Sequence, residues 1–249
     1  MIIIKSRDEI QIMREAGKVT AGILAALKDI VRPGLSTWEI DRYVEETILA
    51  NGMTPTFKGY NGYPASACVS VNEEIIHGIP SKSKILREGD LVSVDVGCTW
   101  KGYVSDAART YPVGAVSAEA ERLVRVTEAC FFEGLKHCRE GVRLSDVSHA
   151  IQAKAESEGF SVVRDFVGHG VGREMHEEPQ IPNFGKPGRG PRLVQGMTLA
   201  IEPMISAGGY ETVVLQDNWT AVTADGSLSA HYENSVAITD GEPELLTLL

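Results

Sequence analysis

The sequence has few of the features that mark secreted, membrane-spanning or nucleic-acid-binding proteins. Its four cysteines (Cys68, Cys98, Cys130 and Cys138) are scattered without a CxxC pair. We therefore expect free thiols in a reducing cytoplasm. The start, MIIIKSRDEI, has too few apolar residues for a signal peptide, and no apolar run is long enough to span a bilayer. The formal net charge of −10 argues against a broad surface for DNA or for an anionic membrane.

The chain does contain a weak internal repeat, at a constant offset of 107 residues. VRPGLSTWEI aligns with CREGVRLSDV, so that Gly34 meets Gly141. REGDLVSVD aligns with VQGMTLAIE at the same offset, and each segment ends on an acid. A glycine turn, a helix, a second glycine turn, an apolar strand and an acid recur in the same order. The sequence therefore predicts one domain over residues 1–249, with similar halves at roughly 1–110 and 115–249.

Periodicity and turn residues predict helices and antiparallel strands in each half. Ser6 and Glu9 form a capping-box pattern at the head of a helix that ends at the RPG turn. Further helices are predicted over 37–50, 117–137 and 144–157, and strands over 68–72, 91–97, 103–110, 161–167, 197–202, 210–215 and 231–238. No GxGxxG follows a strand and no P-loop is present. The predicted fold class is therefore α+β rather than a nucleotide-binding doubly wound sheet.

Two aspartates lie on a predicted hairpin. In LVSVDVGCTWKGYVSDAART, a WKG turn reverses the chain and puts Asp95 opposite or diagonal to Asp106. Side chains directly opposite in a hairpin have Cβ atoms about 5 Å apart. Two carboxylates that close repel each other unless a cation lies between them or one is protonated. The alternative is that one of the two faces solvent as a turn aspartate.

Two glutamates and a histidine extend this acidic set. Glu202 ends one apolar strand pattern and Glu233 lies within another, where an unpaired carboxylate is costly to bury. His169 and His176 both lie in the glycine-broken segment GHGVGREMHEEP. Four carboxylates and the His169 imidazole suit Mn²⁺, Fe²⁺ or Co²⁺ better than a closed zinc site. Shared carboxylates can bridge two metals about 3.5–4 Å apart, and His176 is left available for substrate.

Five segments together resemble a known family. They are YNGYPASACVSVNEEIIHGIP, DVGCTWKGYVSD, GHGVGREMHEEPQIPNF, LAIEPM and YENSVAIT. In this order and spacing they resemble the type I methionine aminopeptidases of the compact bacterial kind, over essentially the whole chain. The resemblance implies a single catalytic domain with the pita-bread fold, an α+β fold whose halves are related by a pseudo-twofold axis. It also implies removal of the N-terminal methionine from nascent polypeptides when the second residue is small.

The resemblance also implies a role for each polar residue. Two divalent cations (Co, Mn, Fe or Zn) would be held by Asp95, Asp106, His169, Glu202 and Glu233. Asp106 and Glu233 would bridge them, and a metal-activated water would attack the carbonyl carbon that follows the methionine. Glu202 would also carry the proton. His77 and His176 would position the substrate and stabilise the oxyanion.

The methionine pocket that the resemblance implies is apolar and polarisable. Its residues are Phe57, Tyr60, Tyr63, Cys68, Met175 and Trp219. Taken singly, each is also typical of an ordinary protein core. Met175 departs from the family, where an aromatic residue is common, and we expect it to alter the pocket shape more than the chemistry. The expected partners are N-terminal Met peptides and the ribosome, the latter in transient contact, and the expected state is a cytoplasmic monomer.

Four alternatives predict different features. An Xaa-Pro peptidase would use similar metal ligands, but it is expected to carry an additional N-terminal domain for which this chain has no room. A type II methionine enzyme would carry a helical insertion between Glu202 and Glu233, which are only 31 positions apart. A non-catalytic pita-bread protein would have lost ligands that are all present here. A thiol hydrolase using Cys68 and His77 would leave the four carboxylates unexplained.

Overall fold

The structure is a computed structural model that describes residues 1–249. The helices are α1 (Arg7–Ile30), α2 (Thr37–Ala50), α3 (Ala118–Leu135) and α4 (Leu144–Ser157). The strands are β1 (Thr54–Pro55), β2 (Ala67–Val71), β3 (Glu74–Ile76), β4 (Leu91–Trp100), β5 (Tyr103–Pro112), β6 (Ser161–Val162), β7 (Gly168–Gly170), β8 (Glu177–Ile181), β9 (Thr198–Ile201), β10 (Met204–Ser206), β11 (Thr212–Val214), β12 (Ala221–Thr223), β13 (Ser229–His231), β14 (Asn234–Ala237) and β15 (Glu244–Leu245). None of the helices combines the length and the apolar composition needed to cross a bilayer.

Side-chain caps start the first two helices. The Ser6 hydroxyl accepts the Glu9 N–H, and the Glu9 carboxylate accepts the Ser6 N–H, so the predicted capping box is confirmed. Ser36 and Glu39 make the same pair of bonds at the start of α2. Each cap satisfies backbone donors that a helix leaves free in its first turn.

All strand pairings are antiparallel. The longest is the β4–β5 hairpin, paired from Leu91 with Pro112 to Trp100 with Tyr103. Strand β4 also pairs with β2 and with β1. In the second half, β9 lies in a five-stranded sheet of order β15-β14-β9-β7-β8. This arrangement agrees with the predicted α+β class.

Two strand predictions are wrong in extent. The strand predicted over 161–167 is limited to β6, because the chain then leaves the sheet and passes along a cavity. The strand predicted over 231–238 is interrupted at Tyr232 and Glu233. Strand β13 before the interruption and β14 after it belong to different sheets. A strand that changes sheets must give up ladder pairing where it crosses.

The offset of 107 residues also relates features of the backbone. Gly34 and Gly141 have φ angles of 89° and 84°, in the region that favours glycine. Their N–H groups donate to Leu86 O and Leu193 O respectively, each over 2.8 Å. Helices α2 and α4 begin and end at the same offset.

The two largest hydrophobic clusters draw mainly on different halves of the chain. One cluster of 19 buried residues packs α1 and α2 against β2, β4 and β5. Another of 23 buried residues packs α3 and α4 against β9 and β14, among other strands. A smaller cluster of 12 residues, which includes Phe57, Cys68 and Met175, brings together apolar side chains from both halves. All four cysteines are buried free thiols, as expected.

Candidate active site

One cavity brings together the side chains that the sequence analysis selected. Its volume is about 270 Å³. Its wall combines carboxylates and imidazoles with apolar and aromatic side chains. The selected residues that line it are Phe57, Tyr60, Tyr63, Cys68, His77, Asp95, Asp106, His169, Met175, His176, Glu202, Trp219 and Glu233. Residues far apart in the chain therefore share one space.

The two hairpin aspartates lie diagonally across the β4–β5 ladder. Asp95 pairs with Ala108, and Gly97 pairs with Asp106. Both carboxylates line the cavity, so neither is a solvent-facing turn residue. Asp106 is 2% exposed. The hairpin geometry thus directs both side chains to the same face of the sheet.

The two glutamates lie where strands stop. Glu202 directly follows β9, and Glu233 occupies the interruption between β13 and β14. The Asn183 side-chain amide donates to Glu202 O over 2.9 Å. The Glu233 N–H donates to Ala108 O on β5 over 3.0 Å. Both backbones are therefore held by neighbouring elements, while the carboxylates remain free to face the cavity.

His169 presents one ring nitrogen to the carboxylates. Its Nδ1 lies 2.8 Å from Gly170 O and therefore carries the proton. Its Nε2 lies 3.6 Å from Asp106 Oδ2 and 3.5 Å from Glu202 Oε1. Burial, with a smaller contribution from His176, lowers the pKa of His169 to about 4. The imidazole is neutral at neutral pH, which is the form that binds a metal.

The acidic cluster fits divalent cations. Burial, followed by repulsion from neighbouring carboxylates, raises the pKa values of Asp95, Asp106, Glu202 and Glu233 well above their usual range. Asp95 Oδ1, Asp106 Oδ1 and Glu233 Oε1 are buried without a hydrogen-bond partner. Ligand atoms of Asp106, His169 and Glu233 all lie within 4.8 Å of one another. Oxygen-rich sets of this kind suit hard or borderline cations.

His77 lies at the end of β3 in an unusual backbone conformation. Its φ of 59° falls in the left-handed region, which is uncommon for residues other than glycine. Its ring meets the rings of Phe166 and Trp219 edge-on, with centroids 5.8 and 6.3 Å away. Burial lowers the pKa of His77 to about 4. The side chain is therefore a neutral imidazole at neutral pH.

His176 lies beside the metal-ligand candidate His169. The centroids of the two rings are 4.3 Å apart. The His176 Nδ1 atom lies 2.8 Å from the Tyr60 hydroxyl. Burial lowers the pKa of His176. Two neutral imidazoles, His77 and His176, thus face the space next to the carboxylates.

The apolar part of the wall is rich in sulfur atoms and aromatic rings. Phe57, Tyr63, Cys68 and Met175 are each less than a tenth exposed. The Trp219 ring meets the Tyr63 ring edge-on at 5.0 Å. Burial raises the pKa of the Cys68 thiol well above its usual value. A protonated buried thiol is a poor nucleophile, which argues against the thiol hydrolase.

The cavity also contains residues that the sequence analysis did not select. They are Asn61, Ile76, Phe166 and Val167. Phe166 and Val167 directly precede the GHG segment, but their assignment to a regular strand hid their role. Ile76 directly precedes His77. Position next to a predicted site residue was the only signal that could have identified them.

His231 lies behind the two glutamates. It is fully buried, and its Nε2 atom has no hydrogen-bond partner. That atom lies 3.8 Å from Glu202 Oε2 and 3.7 Å from Glu233 Oε2. The imidazole therefore faces the same carboxylates as the cavity, but from the protein side.

The fold and the site define a class of protein: an antiparallel α+β hydrolase with a carboxylate–imidazole site for divalent cations. The model of metallopeptidase family M24 matches residues 11–240 of the chain. A methionine aminopeptidase of Clostridium perfringens is 55% identical over 249 residues, which cover 100% of both chains.

Solved structures agree with this class. The crystal structure of a methionine aminopeptidase from Thermotoga maritima matches with a TM-score of 0.98 at 50% identity, covering 100% of each chain. A prolidase from Pyrococcus furiosus matches with a TM-score of 0.81 at 23% identity, covering 99% of this chain and 66% of the prolidase, which shows the fold alone. The chain belongs to metallopeptidase family M24, among its methionine aminopeptidases. The resemblance seen in the sequence and the pita-bread fold are thus confirmed.

Proposed function

We propose that this chain removes the N-terminal methionine from polypeptides whose second residue is small. One observation carries the proposal: a single cavity joins the carboxylate–imidazole cluster to a wall that contains Phe57, Cys68 and Met175. A thioether side chain packs well against aromatic rings and sulfur atoms. The full-length relatives are methionine aminopeptidases, which supports the same substrate class here.

The proposed cofactors are two divalent cations. They would be held by Asp95, Asp106, His169, Glu202 and Glu233. Asp106, His169 and Glu233, whose ligand atoms all lie within 4.8 Å of one another, would form the centre of this ligand set. The oxygen-rich donor set favours Mn²⁺, Fe²⁺ or Co²⁺, with Zn²⁺ as the fourth cation to test. When bound, such cations supply Lewis acidity, which lowers the pKa of water and polarises a carbonyl oxygen.

The chain's own residues would supply proton transfer and orientation. A Glu202 carboxylate oxygen accepts the proton of the attacking water and passes it to the leaving amine. His77 and His176 are neutral, so each can donate an N–H to the substrate carbonyl oxygen as negative charge develops there.

The methionine side chain would lie against the apolar part of the wall. The proposed contacts are Phe57, Tyr60, Tyr63, Cys68, Met175 and Trp219. Tyr63 has a fixed place, because its hydroxyl lies 3.1 Å from Ala67 O and 2.9 Å from Gly78 O. Met175 is flexible and polarisable, and so can adapt to the substrate thioether.

The whole chain is proposed to act as one catalytic domain over residues 1–249, with halves at roughly 1–110 and 115–249. The separate hydrophobic clusters support the division into halves. The enzyme is further proposed to be a cytoplasmic monomer that meets nascent chains in transient contact with the ribosome. Light scattering tests whether the protein is a monomer, and co-sedimentation with translating ribosomes tests whether it contacts the ribosome.

The deciding experiment measures release of methionine from Met-Gly-Met-Met. Metal-stripped protein receives Mn²⁺, Co²⁺, Fe²⁺ or Zn²⁺ separately. Glu202→Ala and His77→Ala are measured alongside, with the exposed His137→Ala as the matched control. We expect metal-dependent release that both cavity variants lose and the control keeps. The order of activity with the four cations ranks them as cofactors.

The alternative substrate class is a peptide with proline in the second position. The prolidase shares the fold, so Xaa-Pro peptides belong in the same assay. Cleavage of Xaa-Pro peptides without release of methionine would overturn the proposal in favour of that class. Cleavage of neither peptide with any cation would favour a binding protein.

A further inference from the structure

The N-terminal segment, residues 1–6, contacts the first residue of β8, Glu177, and the loop before it at residues 172–176, which we call the cavity loop. The contact is an ion pair between Lys5 Nζ and Glu177 Oε2. Each of the two side chains is only 3% exposed. Other lysine ion pairs of this chain are far more exposed; the Lys136 side chain is 63% exposed. A buried pair of this kind is costly to break, because the remaining charge has no counterion.

Backbone hydrogen bonds extend the contact on both sides. The Lys5 N–H donates to Gly196 O over 2.8 Å, which holds the N-terminal segment in place. The Glu177 carboxylate accepts the Arg173 N–H over 2.9 Å and the Glu174 N–H over 3.4 Å. Glu177 therefore shapes the cavity loop, and Lys5 compensates its charge.

Two glycines leave the space in which this contact forms. A Cβ on Gly172 would lie 2.4 Å from Lys5 Cε and 2.5 Å from Glu177 Oε1. A Cβ on Gly196 would lie 2.6 Å from Ile4 Cγ2 and 2.7 Å from Lys5 O. Such distances are too short for any side chain. The N-terminal segment is thus packed closely against both the cavity loop and the turn at Gly196.

The cavity loop carries two side chains of the candidate active site. Met175 and His176 both line the cavity. Glu177 is adjacent to His176, so the ion pair acts one residue away from a proposed substrate contact. We infer that Lys5 is a positioning residue: through Glu177 it holds Met175 and His176 where the substrate binds. This inference rests on the proposed function, because it assigns both residues to substrate.

The first test measures the cavity loop itself, without any substrate. Full-length protein is digested with trypsin under native conditions, and the rates of cleavage after Arg173 and after Arg189 are followed by mass spectrometry. We expect Lys5→Met to speed cleavage after Arg173 about tenfold or more, because a lone buried Glu177 favours local opening. Cleavage after the exposed Arg189 stays unchanged. The control Lys136→Met, which breaks an exposed pair, changes neither rate.

A double variant separates charge from packing. Glu177→Gln keeps a side-chain oxygen for the Arg173 N–H but removes the negative charge. The double variant Lys5→Met with Glu177→Gln leaves no unpaired charge. It is therefore expected to resist trypsin at Arg173 better than Lys5→Met alone. If Lys5→Met fails to fold, the double variant and Glu177→Gln provide the comparison.

The second test measures the effect on substrate. Lys5→Met is expected to raise KM for Met-Gly-Met-Met about tenfold, while calorimetry gives an unchanged affinity for Mn²⁺. Equal acceleration of cleavage at Arg173 and Arg189 would show global destabilisation and overturn the inference. Unchanged KM and unchanged trypsin rates would overturn it as well. If the unsubstituted enzyme releases no methionine, the proposed function fails, and the trypsin rates alone decide whether Lys5 holds the loop.

Discussion

At the residue scale, the candidate site consists of carboxylates that are buried at a cost to the folded state. Asp95, Asp106 and Glu233 each have a buried oxygen without a hydrogen-bond partner. An unpaired buried charge is unfavourable, and a group in that position either protonates or acquires a counterion. Divalent cations would supply the counterions. Metal binding would therefore remove an electrostatic cost that the folded protein bears when no cation is bound.

Removal of divalent cations should lower the thermal stability of the chain. A ligand at 100 times its Kd stabilises the folded state by about 2.7 kcal/mol. For a chain of this length, that corresponds to roughly 5–10 °C in Tm. Calorimetry of metal-free protein, with and without Mn²⁺, measures the shift. Glu233→Gln should reduce it and His137→Ala should not; an equal Tm with and without metal would contradict a cation site.

His231 should contribute to metal affinity without binding metal. Its Nε2 lies close to Glu202 and Glu233 and has no other partner, so it can orient both carboxylates. Residues that orient metal ligands typically change metal affinity by about 10–100-fold when removed. We expect His231→Ala to weaken Mn²⁺ binding to that extent in a calorimetric titration. The exposed His137→Ala provides the baseline, and equal affinities in both variants would refute this role.

At the element scale, the site depends on strands that are interrupted. Glu202 follows the last residue of β9, and Glu233 separates β13 from β14. Within a continuous strand, side chains alternate strictly between faces. An interruption releases a residue from that alternation and allows its carboxylate to enter the cavity. The aspartates, in contrast, lie inside the regular β4–β5 ladder, where alternation itself points them to one face.

Gly97 on β4 should control the shape of the proposed methionine pocket. A Cβ at this position would lie 2.4 Å from Phe57 Cε1, so Gly97→Ala must displace the Phe57 ring. We expect a KM for Met-Gly-Met-Met raised by about tenfold or more, with metal affinity little changed. Gly22→Ala is the matched control, because nothing lies within 4 Å of its Cβ in helix α1. That control should gain about 0.5–1 kcal/mol of stability and keep its KM; equal KM values in both variants would contradict the expectation.

At the scale of the whole molecule, the candidate ligands come from both halves of the chain. Hydrogen bonds connect the backbone at Asp106 with that of the segment around Glu233. Ser235 donates its hydroxyl to Asp106 O over 2.8 Å and accepts the Asp106 N–H over 3.0 Å. Arg109 donates to Glu233 O over 2.5 Å. Metal binding would therefore link two halves that these bonds have already aligned.

Loss of the Ser235 hydroxyl should lower both the stability of the folded state and its affinity for metal. Ser235 is fully buried, and Ser235→Ala removes both of its hydrogen bonds to the Asp106 backbone. Leaving buried backbone groups unpaired costs about 1–3 kcal/mol. We expect a lower midpoint of urea unfolding and weaker Mn²⁺ binding. Ser157→Ala, at an exposed serine of α4, should change neither; unchanged metal affinity in Ser235→Ala would show that the two halves align without it.

Local patterns in the chain were sufficient for the helices and for about half of the strands; the strands that they did not predict are β1, β3, β7, β8, β10, β12 and β15. Ser6 with Glu9 marks the start of α1 because an N-cap depends only on residues within one turn. The strand over 161–167 was overestimated, because an apolar run looks the same whether it pairs in a sheet or lines a cavity. The ends of β13 and β14 escaped prediction for a related reason: the switch between sheets depends on distant partners.

The sequence by itself determined the family and the chemical types at the site, because ordered motifs specify side-chain chemistry directly. It also determined that Asp95 and Asp106 share a hairpin, but only the ladder register decided that they lie diagonally. Only the tertiary structure placed Phe166 against His77. It also paired Lys5 with Glu177, although these two residues are 172 positions apart in the chain. The physical reason is that such contacts arise when separate elements pack together. No local periodicity, propensity or spacing encodes where two distant segments meet.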